Sequence, residues 1–367
     1  MIELEEARKF IFSRCLKLST DEVDISKSRG LVLAETVISN DDVPPFPNTA
    51  MDGYAVRAVD TEHAPVKLKV IGTLPAGKVP DLEVGPDEAV RIMTGAVIPE
   101  GADSVVMVEK TKEAENGDSV IVEESIKNGN FIRQSGEDFV KGSELFTSGT
   151  LIGAAHIGVF ATIGLEKVTV FKRPIVGVMS TGDELVQGSS QLKPGQIRDS
   201  NRHSIKALLE EMGAEIIDFG LIPDDEKAIE SSLLSAIEKC DAVVTSGGVS
   251  MGDFDYVKVV LDRLGEMKWM QVAIKPAKPL AFGLLNDVPI FGLPGNPVSA
   301  MVSFELFMRP ALRKMMGYQQ IWRPYLKAKA VSSLKRRKDG KVHFARVTLT
   351  RNKDSYEVSF LKGQGSH

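Results

Sequence analysis

The spacing of apolar positions divides this chain into successive stretches. Leu4, Ala7, Ile11 and Cys15 recur at helical intervals, which predicts a helix over residues 3–16. Asp41-Asp42-Val43-Pro44-Pro45-Phe46-Pro47 cannot be helical, because its prolines fix extended geometry, and it reads as a linker. From Met51 to Glu144 the period falls to two: Val66, Leu68 and Val70 alternate with polar residues, and Val105–Val108 and Val120–Val122 are short β runs. Asn116-Gly117 and Asn128-Gly129 read as hairpin-type turns. Residues 151–165 are small and apolar, as in a packed helix.

From Arg173 to Gly317 strand and helix patterns alternate. Strands are predicted at 175–179, 215–219, 241–245 and 289–291. Between them lie helix faces marked by Ile205, Leu208, Leu209 and Met212, by Ile229, Leu233, Ala236 and Ile237, and by Val257, Val260, Leu261 and Leu264. Gly213 closes the first of these. Asn296-Pro297 opens a last helix to about Met316, which Pro310 should kink or break. Alternation of this kind predicts an open, mostly parallel sheet with helices on both faces. The remainder is β-like again, with turns at Asp339-Gly340 and Asn352-Lys353-Asp354. The fold class is therefore multidomain α/β plus β, with a β-rich insertion and a short C-terminal β domain.

With 367 residues the chain is long for one core, so several domains are expected. The net charge of −5 provides no footprint for nucleic acid or an anionic membrane. Only Cys15 and Cys240 occur, which excludes a disulfide framework and a cysteine zinc site and points to a reducing cytoplasm. No stretch has the length of a membrane span and no signal-peptide pattern opens the chain. The five histidines show no metal-binding spacing.

Ligands of open α/β sheets sit at the carboxyl ends of the strands. Each predicted strand here ends in a loop rich in glycine or acid: Ser180-Thr181-Gly182-Asp183-Glu184, Pro223-Asp224-Asp225, Thr245-Ser246-Gly247-Gly248-Val249-Ser250 followed by Asp253 and Asp255, and Leu293-Pro294-Gly295-Asn296-Pro297. Paired glycines let backbone N–H groups approach a phosphate. Asp183, Glu184, Asp224, Asp225, Asp253 and Asp255 are hard oxygen donors of the kind Mg²⁺ takes together with phosphate and water. Lys275 and Lys278 add cations between prolines and suit an oxyanion. A single acid in such a loop is more often a helix N-cap, so convergence of the loops carries the argument. Two segments of the insertion stand apart: Pro44–Ala55, with Met51-Asp52-Gly53-Tyr54, and Arg91–Asp103, with Met93-Thr94-Gly95-Ala96.

These residues together resemble the MoeA family of molybdopterin molybdenumtransferases, which is related to the E domain of gephyrin. The similarity runs almost end to end. It includes Pro-Pro-Phe…Ala-Met-Asp-Gly-Tyr-Ala at 44–55, Arg-Ile-Met-Thr-Gly-Ala at 91–96, Gly136-Glu137-Asp138, Ser180–Leu185, Gly195–Asn201, the Ser246–Asp255 stretch, Ala273–Pro276 and Gly292–Ala300. The resemblance implies a molybdopterin-binding, MogA-like α/β domain at 173–318, an inserted β domain at 46–141, an elongated linker and dimerisation domain from 1–45 and 142–172, and a C-terminal β domain at 319–367. That last domain continues past a segment like Gly363–His367 in the family, so here it is expected to be truncated.

The activity implied is the last step of molybdenum cofactor synthesis. Molybdenum from molybdate enters adenylylated molybdopterin with Mg²⁺-dependent release of AMP. By resemblance, Asp52, Thr94, Glu184, Asp224, Asp255 and Lys275 are catalytic, and Glu184, Asp224 and Asp255 hold Mg²⁺. Gly247, Gly248, Ser250, Lys278, Pro294, Gly295, Asn296 and Pro297 bind substrate, with Ser250, like Asp138, matching more loosely. The family further implies a homodimer in which Asp52 and Thr94 reach the cleft of the other subunit, and a molybdopterin adenylyltransferase as substrate donor. Neither nucleic acid nor a membrane is an expected partner. Alternative readings are an adenylyltransferase-like enzyme, a tungsten-inserting paralogue and a gephyrin-like scaffold; the β insertion and the Met-Asp-Gly-Tyr segment argue against the first.

Overall fold

Ile175–Thr181 (β1) buries every residue after its first, the pattern of a strand covered on both faces. In the computed structural model, which describes residues 1–189, 191–248, 256–333, 338–353, 355–361 and 363–365, β1 lies inside a six-stranded sheet. Its companions are β2 (Glu215–Ile222), β3 (Ala242–Ser246), β4 (Glu266–Gln271), β5 (Pro279–Leu285) and β6 (Val288–Leu293). The order across the sheet is β2-β1-β3-β6-β5-β4. The first four positions pair in parallel, and β5 and β4 add antiparallel. β5 and β6 form a hairpin across Asn286 and Asp287, both at positive φ, as a tight hairpin turn requires.

Side chains of successive residues leave a strand on opposite faces, and each face carries its own core. Val176, Val178, Ala242, Val244 and Phe291 pack with Ile205 and Leu209 of helix α1 (Asn201–Glu211), and with Ala7 and Ile11 of the helix Leu4–Arg14. Met179, Val243 and Ile290 pack with Ile229 and Leu233 of α2 (Glu226–Ile237) and with Val257, Val260 and Leu261 of α3 (Tyr256–Leu264). Each such fully buried aliphatic or Phe side chain contributes about 1.5–3 kcal/mol. The strands run longer than the sequence pattern suggests, because Thr181 and Ile222 still pair beyond the apolar runs.

The segment after β6 is helical in three parts: Pro297–Ser303, a π turn over Phe304–Met308, and Arg309–Met315. Pro310 therefore does not end the helix. It sits in the first turn of the third part, and the π turn before it absorbs the missing N–H. The chain's start and its late β segment both close on residues 272–275. Ile2 N–H donates to the Gln271 carbonyl, Ala273 N–H donates to Ile2, and Val342 N–H donates to Ala273. Val342–His343 pairs in parallel with Ile274–Lys275, so Asp339-Gly340 does not join two paired strands among the described residues. Val347–Asn352 and Ser355–Phe360 do form a hairpin, with Lys353 at positive φ.

These elements belong to one compact unit of Met1–Glu35, Ser148–Gly153 and Lys167–His367. The second unit comprises Thr36–Thr147 and Ala154–Glu166. Its main sheet has six strands in the order Ser104–Met107, Gly53–Val56, Glu88–Ile92, Val66–Leu74, Ser119–Val122 and Thr111–Glu113. Tyr54 and Val56 face one core and Ala55 the other, so both faces are covered. Asn116-Gly117 joins a hairpin, as read. Asn128-Gly129 makes a turn but no hairpin: Gly129 N–H and the Asn128 amide donate to Asp103, and Ile132–Arg133 pairs with Asn48–Thr49 instead. No helix among the described residues is long and apolar enough to cross a membrane.

Candidate functional site

Four parallel strands, β2, β1, β3 and β6, bring their carboxyl ends to one edge of the sheet. The chain passes from β1 to β2 on one side and then to β3 on the other. A crevice opens at such a reversal. A cavity of about 640 Å³ occupies it, lined from all four loops by Gly182, Glu184, Asp224, Gly247, Gly248 and Asn296, among others. The loops singled out in the sequence thus converge on one cavity.

Gly247 and Gly248 follow β3 with φ of 93° and 66°, in the left-handed region where side chains are strained. A Cβ at Gly247 would come within 2.7 Å of the Thr181 carbonyl oxygen, so the turn lies directly against the end of β1. Gly182 has φ 143°, and a Cβ there would meet Glu184 Oε2 at 2.7 Å. The Glu184 carboxylate is therefore folded over bare backbone at the cavity wall.

Asp183 and Asp224 hold each other. The N–H of Asp183 donates to Asp224 Oδ2 and the N–H of Asp224 to Asp183 Oδ1, both at 3.2 Å. Burial raises the pKa of Asp224, and the charges of Asp183 and Glu184 add to this against the lowering effect of the Asp183 N–H. Asp225 has the ordinary role: it is the N-cap of α2, accepting from Ala228 N–H at 2.9 Å. Among the described residues no Lys or Arg forms an ion pair with Asp183, Glu184 or Asp224. Also among them, no three His, Cys, Asp or Glu residues gather closely enough to hold a metal unaided. Two carboxylates beside a glycine turn still fit a cation that draws its other ligands from phosphate and water. Ser250, Asp253 and Asp255 lie outside the described residues.

Pro294, Gly295, Asn296 and Pro297 complete the wall. Asn296 stands at the cap position and Pro297 opens the helix, but the Asn296 side chain makes no capping hydrogen bond. Lys275 and Lys278 are exposed, on a loop closed by the Val272 N–H donating to the Lys278 carbonyl at 2.7 Å. Of this segment, Pro279 lines the cavity and the two lysines do not.

Asp52 and Thr94 belong to the other unit and form a pair of their own. The N–H and the hydroxyl of Thr94 donate to Asp52 Oδ1 at 2.7 and 2.8 Å. The Thr94 N–H first, then its hydroxyl, holds the exposed Asp52 carboxyl below the usual carboxylate range. Asp138 pairs with Arg133 at 2.6 Å.

Two groups escaped the sequence reading, although both lie in or beside quoted segments. The Asn201 amide donates to Ser246 Oγ at 2.8 Å and to the Gly295 carbonyl at 2.7 Å, tying two cavity loops together. Asp199 accepts from Arg202 at 2.8 Å and from the Ser180 hydroxyl at 3.2 Å. Arg202 Nη1 also donates to both oxygens of Asp218 at 2.6 Å, and Lys206 to one at 2.7 Å. Burial works against ionisation of Asp218, yet these cations outweigh it and bring its pKa down to about 2. Asn201 was legible only as the end of the Gly195–Asn201 segment.

Comparison with known proteins agrees with this geometry. Residues 2–164 match the family described as "MoeA N-terminal region (domain I and II)" and residues 177–314 match "Probable molybdopterin binding domain". The chain is 40% identical to a molybdopterin molybdenumtransferase of Haemophilus influenzae, over 100% of this chain and 91% of that protein. It is 39% identical to one of Nostoc sp., over 88% and 77%. A solved molybdopterin biosynthesis MoeA protein of Pyrococcus horikoshii superposes with a TM-score of 0.84 at 31% identity, covering 100% of this chain and 91% of that one.

Proposed function

The chain belongs to the MoeA family of molybdopterin molybdenumtransferases, and on that premise we propose how its cavity serves the reaction. It is a transferase of molybdenum cofactor biosynthesis that places molybdenum on molybdopterin. The substrate form we propose is adenylylated molybdopterin together with molybdate, with AMP as the leaving group. The observation that carries this is the meeting of the Gly247-Gly248 turn with the Glu184 and Asp224 carboxylates in one cavity.

Each group then has a task set by its chemistry. Gly247 and Gly248 expose backbone N–H groups to a phosphate of the pyrophosphate. Glu184 and Asp224, with Asp255, would hold Mg²⁺ through oxygen. Bound there, Mg²⁺ would offset the charge that develops as the anhydride P–O bond breaks and AMP departs. Lys275 and Lys278 attract the oxyanion electrostatically from outside the cavity. Pro294 to Pro297 form the opposing rim. Asp52 and Thr94 position the dithiolene and molybdate from the second subunit of a homodimer. The division into 1–45 with 142–172, 46–141, 173–318 and 319–367 belongs to the same proposal. So do a cytoplasmic location and a molybdopterin adenylyltransferase as donor.

The test is incubation with adenylylated molybdopterin, Mg²⁺ and either molybdate or tungstate, followed by measurement of AMP and protein-bound metal. Release of AMP that requires Mg²⁺, with molybdenum retained, is the expected result. Retained molybdenum without any AMP would overturn the adenylylated substrate, and neither product would overturn the reading as a whole.

A further inference from the structure

The Gly195–Asn201 segment ends at a residue whose side chain does more than begin a helix. Asn201 is the first residue of α1 and is almost fully buried, with 8% of its surface exposed. Its side-chain nitrogen lies 2.7 Å from the Gly295 carbonyl oxygen and 2.8 Å from Ser246 Oγ. A carbonyl can only accept, so the amide must turn its NH₂ group toward Gly295. The second N–H of that group then falls to Ser246, whose oxygen is the acceptor. The Ser246 hydroxyl proton must therefore point elsewhere.

Ser246 is 3% exposed and closes β3 immediately before the glycine pair. Among the described residues its hydroxyl donates to nothing, and a buried donor left unpaired is costly. Ser246 lines the cavity at the end of β3. We propose that Ser246 donates a hydrogen bond to a phosphate oxygen of the substrate, and that Asn201 is the positioning residue that fixes it as a donor. The proposal rests on the reaction assigned above and adds a contact to its phosphate seat. It also explains why Asn201 reaches two loops at once: the Ser246 hydroxyl and the Gly295 backbone face the same cavity and are held in register by one amide.

The test is a double-mutant cycle on the full chain with Ser246→Ala, Asn201→Ala and both together. Binding of adenylylated molybdopterin and, separately, of inorganic phosphate is measured by calorimetry, alongside thermal unfolding. A hydrogen bond to a charged oxygen is worth about tenfold or more in affinity, so Ser246→Ala is expected to weaken both ligands about tenfold. Asn201→Ala should weaken them similarly in the parent but have little further effect once Ser246 is Ala. Asn201→Asp, whose carboxylate would take the Ser246 proton, should weaken phosphate at least as much as Asn201→Ala. Unchanged affinity in a folded Ser246→Ala protein overturns the proposal. So does a loss at Asn201 that is the same with or without the Ser246 hydroxyl. If the parent binds phosphate but not adenylylated molybdopterin, the assigned reaction fails while the hydroxyl's role is still read from phosphate. A parent that binds neither overturns both.

Discussion

Asp183 and Asp224 each give a backbone N–H to the other's carboxylate, 3.2 Å in both directions. This reciprocal clasp fixes the loops after β1 and β2 to one another. It also holds two negative charges together, with Glu184 close enough to add a third. The arrangement carries a burial and charge cost that a cation bound there would relieve.

Removing that cost should separate stability from activity. Asp224 has a raised pKa, so the folded chain binds its proton more tightly than the unfolded chain does. Its unfavourable contribution therefore sets in as pH rises from about 3.8 through the folded value, and persists at neutral pH. Asp224→Asn is expected to melt about 1–3 °C higher at pH 7, with the gain fading below pH 4. The same variant should lose Mg²⁺-dependent AMP release by about a hundredfold or more, as should Glu184→Gln. Calorimetry and chromatographic assay of AMP check the two halves. Parent-level turnover in both variants would remove them from the metal site.

Asp218 is predicted to show the opposite pH dependence. Its folded pKa of about 2 lies below the ordinary 3.8, so its stabilisation is present above that ordinary value and disappears as pH falls toward 2. Asp218 is solvent-exposed, so screening cuts the shift to about 1 kcal/mol of stability. Asp218→Asn should destabilise the chain by that order at pH 7, in chemical unfolding, and by much less near pH 2. A pH-independent difference would mean that packing, not the Arg202 and Lys206 charges, sets its value.

Gly247→Ala should be costly whatever the chain's function. The substituent meets the Thr181 carbonyl oxygen at 2.7 Å and the backbone is at φ 93°. A loss of about 1–3 kcal/mol is expected in urea unfolding. Gly295→Ala provides the contrast, because nothing lies within 4 Å of the added Cβ and its φ is not in the left-handed region.

If Asp52 and Thr94 serve the cleft of a second subunit, inactive Asp52→Ala and Glu184→Ala chains should restore part of each other's activity when mixed and refolded. Light scattering should find a dimer. A monomer with full activity would exclude the shared cleft.

Thr94→Val should raise the pKa of Asp52 toward the ordinary carboxylate value, since the hydroxyl donor is lost while the backbone N–H remains. Carbon NMR titration of the Asp52 carboxyl reads this directly.

The sheet and its loops were legible because their signals are local. Apolar runs such as Ala242–Val244 need no distant information, and glycines and acids at strand ends mark the loops. Spacing alone did not separate Asp224 from Asp225, which are adjacent and alike; only the family resemblance singled out Asp224, and the backbone path makes Asp225 the cap and leaves Asp224 to the cavity. Long-range pairing also escaped. Nothing local in Val342-His343 names Ile274-Lys275 as its partner. Asn128-Gly129 carries the composition of a hairpin turn, yet Asp103 captures it. Pro310 signals a break that the preceding π turn makes unnecessary.

The closing of Ile2 and Val342 on residues 272–275 has a consequence for synthesis. A chain emerging from the ribosome has no partner for the Ile2 backbone until Gln271 and Ala273 have been made. The helix Leu4–Arg14 likewise waits for Phe282, Phe291 and Phe304 to cover Ala7 and Ile11. Contacts of such long sequence separation form slowly. A segment made more than 250 residues before its partners is among the last to find its place, and until then its apolar stripe is open to whatever holds nascent chains.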